Sequence, residues 1–268
     1  MRWLAKALRW LTTDGWRAID REAAAQRARH GDGYRWLTAV VLLTAVIVLT
    51  LQEYLGSRIV FHDLSPPDDD DEHWLLKSYV WWTAWRVGGY ALIPLLVILA
   101  LRGERIRDYY VGFGALAQHW KIYAGVLLLI LPLVLYASTL DEFTETYPFY
   151  AHANRSPLDF WTWQVLYALQ FIALEFFFRG FMLRGLERSF GSAAIFVMVI
   201  PYTMIHFGKP MLESFGAVIA GVALGTLAMR SRSIWGGAFL HVAVAFLMDW
   251  LAVQQCPDPS EGPCPTGF

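Results

Sequence analysis

Apolar residues in this 268-residue chain are gathered into runs close to the ~20 residues that a helix needs to cross hydrocarbon. Seven runs stand out, at 36–55, 75–101, 122–138, 160–183, 192–206, 215–229 and 234–252. They predict an all-α fold, a polytopic membrane bundle of about seven transmembrane helices. Ahead of them, Trp3, Leu4, Leu8, Leu11 and Trp16 recur among basic residues at near-helical spacing. This spacing predicts an amphipathic segment, residues 1–30, lying along the cytoplasmic membrane surface, where acidic lipids attract it. No apolar core followed by a small-residue cleavage site precedes it, so it does not read as a signal peptide. Residues 31–268 read as one bundle, with no internal repeat and no linker to divide them.

Composition agrees with the pattern. Hydrophobic residues make up 56% of the chain and charged residues 17%, against roughly 25% charge in soluble domains. The placement of charge adds an orientation, because Lys and Arg in short flanks are retained in the cytoplasm. Arg2, Lys6, Arg9, Arg17, Arg21, Arg27, Arg29 and Arg35 precede the first run. Basic connections then alternate: Arg102, Arg105 and Arg107, later Arg184 and Arg188, later Arg230 and Arg232. The other connections carry Asp68–Asp71 and Glu72, or Asp141, Glu142 and Glu145. Seven spans therefore predict an inside N-terminus and an outside C-terminus. Cys256 and Cys264 fall together in that Pro/Gly-rich outer tail, where an oxidising compartment would favour a small disulfide loop. The expected location is a plasma (inner) membrane of bacterial type. Its partners are then membrane lipids and membrane-anchored peptide segments, with no nucleic acid.

Charges inside a span are costly and point to function. Lys77 and Arg86 interrupt the second run, but their long stems can carry the charge to a membrane boundary. Glu175 and Arg179, in the fourth run, cannot both be explained so, and at positions i and i+4 they share a helix face. Two histidines accompany them: His206 ends the fifth run and His241 lies inside the seventh. Runs four and five form a hairpin turning near Phe190 and Gly191, with Glu175 about 15 residues before the turn and His206 about 16 after it. At the helical rise both lie roughly 22–24 Å from the turn, so their side chains can be level. His241 stands only about 10 residues from its own turn near Ser231, a rise of about 15 Å, and joins them only through helix tilt or turns at different depths. Gly216, Ala220, Gly221 and Gly225 have the small-residue spacing of closely packed membrane helices.

A carboxylate and two imidazoles in a low-dielectric cavity suit the activation of water against a carbonyl, with glutamate as general base. Glu175, His206 and His241 are also a ligand set for Zn2+ or another divalent metal with an open fourth position, although the local His-Glu-x-x-His spacing is missing.

In their order on successive helices, Glu175-x-x-x-Arg179-Gly180, Tyr202-x-x-x-His206, Gly221-x-x-x-Gly225, Ser233-Ile234-Trp235 and His241 resemble the CAAX-protease and bacteriocin-processing family, CPBP or Abi. The resemblance covers about 158–249. It implies an intramembrane glutamic or metallo-endopeptidase in which a glutamate and the histidine at His206 activate water. A second histidine, at His241, then works with an asparagine four residues on. Two positions depart from the family pattern: the first of its paired glutamates is here Leu174, and the asparagine is Ala245. On an α-helix Glu175 points about 100° away from its neighbour's direction. The departures leave a second reading open, a catalytically silent relative that binds a membrane partner or substrate. A third, an unrelated transporter, lacks paired interrupted helices in corresponding halves.

Overall fold

Each apolar run becomes helix in the computed structural model, which describes residues 2–30, 33–67, 70–258, 260 and 262–265. Asp68 and Asp69 of the acidic connection and the side chains of Trp3 and Leu4 lie outside the described residues. The chain runs as α1 (Arg2–Leu11), α2 (Thr13–His30), α3 (Gly33–Tyr54), α4 (Arg58–Leu64), α5 (Trp74–Val87), a π segment (Gly88–Leu92) and α6 (Ile93–Ala100). It continues as α7 (Gly114–Ala137), α8 (Asp141–Thr146), α9 (Pro157–Glu175), a second π segment (Phe176–Met182) and α10 (Leu183–Phe190). Last come α11 (Ala193–Met204), α12 (Met211–Ser231) and α13 (Trp235–Val253). Among the described residues there is no strand, only an isolated bridge between Val111 and Ser233.

Among the described residues, six helical stretches are long and apolar enough to cross a membrane: Arg35–Tyr54, Trp74–Ala100, His119–Ala137, Pro157–Phe190, Met211–Ser231 and Trp235–Val253. The 34 residues of Pro157–Phe190 rise about 50 Å, well beyond a ~30 Å hydrocarbon core, as the hairpin reading requires. The run 192–206 differs. Only the 12 residues of α11 are helical there, a rise of about 18 Å. Gly208, at φ 91°, and Lys209 ahead of Pro210, where helical backbone is disfavoured, turn the chain before it can lengthen.

The chain divides into two compact units. Residues 1–48, 92–119 and 175–237 form one, and 49–91, 120–174 and 238–268 form the other. The basic connections all fall in the first, and the acidic ones and the cysteines in the second.

The first unit uses its charges as cross-braces. Glu187 is fully buried and accepts from the Tyr110 hydroxyl at 2.9 Å and from Arg232 Nη1 at 2.8 Å. Burial, and then Glu187 itself, holds the Tyr110 hydroxyl well above its ordinary range, so it stays a neutral donor. The other arm of Arg232 reaches Glu22 at 2.5 Å, and Arg188 Nη1 reaches Glu104 at 2.9 Å. Asp20 accepts the backbone N–H of Ser192 at 2.7 Å, and a Cβ at Gly191, whose φ is 56°, would stand 2.3 Å from that carboxylate. The α10–α11 turn therefore needs glycine twice over, for its backbone angle and for its space. Trp16, expected on the membrane surface, instead donates Nε1–H to Thr226 at 3.1 Å and packs edge-on against Phe196. Trp16 thus docks the start of α2 on α12, while Leu8 is exposed.

In the second unit Tyr79, Tyr150, Trp163 and Tyr167 share an aromatic core. Asp159 accepts from Tyr150 at 2.7 Å and Arg155 at 2.7 Å. Cys256 and Cys264 are joined by a disulfide, and the tail is pinned by Cys264 N–H to the Ala151 carbonyl at 2.9 Å. Lys77 does reach past the end of its span, to Asp71 at 2.7 Å.

Candidate active site

The α-helix α9 ends at Glu175, and the next seven residues widen into the π segment Phe176–Met182, every one of them buried. Within it, a Cβ at Gly180 would lie 2.9 Å from the Tyr109 carbonyl oxygen, so the backbone of the 101–113 connection packs closely against the helix there. Single π turns within α-helices are rare and often mark functional sites. One inserted residue shifts the register downstream by about 100°, so an α-helical wheel drawn through Leu174 and Glu175 does not continue past Phe176. Of that pair it is Glu175 that is fully buried, while Leu174 is half-buried.

Glu175 Oε1 lies 3.2 Å from Arg179 Nη1, and neither residue is exposed. Burying both charges is tolerable because each supplies the other's counterion. The Arg179 guanidinium also lies 4.0 Å from the centre of the Tyr202 ring, a cation–π contact that fixes its plane. Phe178 meets the same ring edge-on. The Tyr202 carbonyl oxygen lies 2.8 Å from Nδ1 of half-buried His206. A carbonyl can only accept, so Nδ1 carries the hydrogen and the neutral imidazole keeps its Nε2 lone pair. His206 in this way satisfies one of the last carbonyls of α11. Glu175, Arg179, Tyr202 and His206 thus form a continuous series of contacts within the first unit.

Two glycine contacts shape this unit. A Cβ at Gly221 would stand 2.8 Å from Val199 and 3.1 Å from Tyr202, which accounts for the small-residue spacing on α12 as plain close packing against α11. At Gly237 a Cβ would stand 2.3 Å from Glu175 Oε2. Only a glycine lets the start of α13 lie against that carboxylate.

His241 belongs to the second unit. It is half-buried, and its imidazole stacks on Phe171, 5.3 Å between centroids and 4° from parallel. Ala245, one turn on, is buried and brings no polar group. A further turn on is Asp249, which the sequence reading passed over: it is fully buried and accepts from Trp163 Nε1 at 2.6 Å and Gln164 Nε2 at 2.9 Å. An acid inside the seventh apolar run was the signal that could have found it. Among the described residues, no three His, Cys, Asp or Glu side chains gather closely enough to hold a metal ion.

Residues 156–247 match the model of a family described as type II CAAX prenyl endopeptidase, Rce1-like. No curated protein and no solved structure matches the chain. The matched segment takes in Glu175, Arg179, Tyr202, His206, Gly237, His241 and Ala245 and ends before Asp249. Over this segment, about a third of its length, the chain is similar to that family of membrane endopeptidases.

Proposed function

We propose that the chain is an intramembrane endopeptidase that hydrolyses a peptide bond of a membrane-associated protein or peptide. Glu175 is the general base. It takes a proton from water as the water oxygen bonds to the scissile carbonyl carbon, and returns that proton to the leaving nitrogen as the carbon–nitrogen bond breaks. Arg179 stays charged and keeps the carboxylate ionised and aimed. His206 acts through Nε2, the nitrogen left as acceptor once Nδ1–H is given to Tyr202, and orients the water. His241 steadies the oxygen that gains charge, without the asparagine that Ala245 replaces. Should a divalent metal take part, Glu175, His206 and His241 are the side chains that would hold it, and it would polarise the scissile carbonyl.

The observation that carries this reading is the fully buried Glu175 carboxylate, held by Arg179 and approached by backbone alone at Gly237. An acid with no role is expensive to keep inside a membrane. The test is cleavage of membrane-anchored peptides in liposomes, a prenylated C-terminal peptide among them. Glu175→Gln, His206→Ala and His241→Ala should each abolish cleavage while the protein stays folded. Groups acting as one unit are non-additive, so a double variant should be little worse than a single one.

Ala245 favours one other reading, a silent relative that binds a membrane segment without cutting it. Leu174→Glu with Ala245→Asn should raise cleavage if the chain is a weakened protease. If all three single variants support the cellular role as well as the parent does, the binding reading takes its place.

A further inference from the structure

Arg86 lies in the span Trp74–Ala100 and is half-buried. Its guanidinium is held in place: Nη1 donates to Gln52 Oε1 at 2.7 Å and to the Tyr90 hydroxyl at 2.9 Å. The group also lies 5.4 Å from the Trp82 ring centre and 5.7 Å from that of Tyr90. All of these partners are neutral, and among the described residues no carboxylate lies within ion-pair distance of it. The charge is positioned by neutral groups and not by a direct ion pair. Beside it Gln52 is 3% exposed, and while its Oε1 serves Arg86, its Nε2 has no hydrogen-bond partner. A buried amide donor left unmatched is unfavourable and uncommon in folded proteins. A cation next to an unmatched donor is complementary to an oxyanion, which accepts from both.

Depth narrows the choice of oxyanion. Gln52 lies two residues before the end of the 20-residue span Arg35–Tyr54, about 3 Å of rise from its boundary. Trp81, Trp82, Trp85 and Tyr90 cluster along the same stretch of chain as Arg86, the residue types that sit where hydrocarbon meets headgroups. Phospholipid phosphates occupy that level. Leu51 and Leu55, 36% and 44% exposed, flank Gln52 on the helix and offer acyl chains an apolar surface. The neighbouring connection, with Asp70, Asp71 and Glu72, is acidic and would not accumulate anions unspecifically.

We infer that Arg86 and Gln52 bind the phosphodiester of one membrane phospholipid, the guanidinium and the Gln52 amide donating to its oxygens. The bound lipid then ties the end of α3 to α5.

The test uses the full chain in detergent, titrated with phosphatidylglycerol, phosphatidylethanolamine, diacylglycerol or inorganic phosphate and followed by native mass spectrometry and thermal melting. The parent should retain one phospholipid of either headgroup and melt higher with it, and should ignore diacylglycerol, which has the chains without the phosphate. Gln52→Glu sets an internal carboxylate against Arg86 at no change in size, so it should stay folded while retaining lipid about 10-fold less or worse. Arg86→Gln should do the same. Equal retention of diacylglycerol, undiminished binding by Gln52→Glu, or displacement of the lipid by inorganic phosphate would each overturn the inference.

Discussion

Gly237→Ala tests the proposed chemistry with a single methyl group. The new Cβ would stand 2.3 Å from Glu175 Oε2, 2.9 Å from its carboxyl carbon and 3.4 Å from Oε1. An ordinary carbon–oxygen contact needs about 1 Å more than the shortest of these. Either the carboxylate swings away or the start of α13 backs off by that amount, with an overpacking cost of about 1–3 kcal/mol. Moving a catalytic group by 1 Å can cost about 100-fold in rate. The expected result is therefore a folded protein, melting a few degrees lower, that cleaves a membrane-anchored peptide about 100-fold more slowly. Gly216→Ala is the control, because nothing lies within 4 Å of the position its Cβ would take. Adding Glu175→Asp to Gly237→Ala shortens the acid by about 1.5 Å and should restore the melting temperature but not the rate. Wild-type cleavage by Gly237→Ala at unchanged stability would refute the reasoning, since the carboxylate against α13 would then have no part in the reaction.

Arg179→Ala should damage folding more than chemistry: breaking a buried pair costs roughly 3–5 kcal/mol in soluble proteins, so purified yield should drop, and equal yield with total loss of cleavage would instead put the guanidinium in the reaction. Phe171→Leu should lower kcat, because it keeps the volume but removes the flat face that holds His241, whereas Phe171→Tyr should restore it; equal activity of both variants would reduce Phe171 to packing. A tag at the N-terminus should be shielded from the outside and one at the C-terminus accessible, and tags reporting the same side would mean that the short α11 does not count as a crossing.

The spans were legible because twenty apolar residues admit few structures other than a membrane helix. The site was legible in part. Glu175, Arg179 and His206 announce themselves as ionisable groups in apolar runs, and Asp249 carried the same signal unread. The shortened α11 was also written in the chain, in Gly208 and Pro210, but hydropathy alone runs straight through to His206. The π segment was not legible. An apolar stretch has the same composition whether it bonds i to i+4 or i to i+5, and its contact partners, such as the Tyr109 carbonyl against Gly180, come from far away in sequence. The same holds for the braces of the basic connections: Arg232 and Glu22 are 210 residues apart and look, one by one, like ordinary topology-setting charges.

The shortness of α11 has a consequence for the surrounding lipid. A rise of about 18 Å leaves roughly 12 Å of a ~30 Å hydrocarbon layer unfilled beneath the turn that follows it. That turn carries His206 and the Lys209–Glu213 pair, whose charged atoms are 2.5 Å apart, and such groups draw headgroups and water toward them. The bilayer has to dip there, at a cost of a fraction of a kcal/mol for each ångström of mismatch. Thick, sterol-like or long-chain membranes resist that dip and thin ones yield to it. Under the proposed mechanism, membrane thickness would become a variable of the cleavage rate, setting how readily water meets the imidazole.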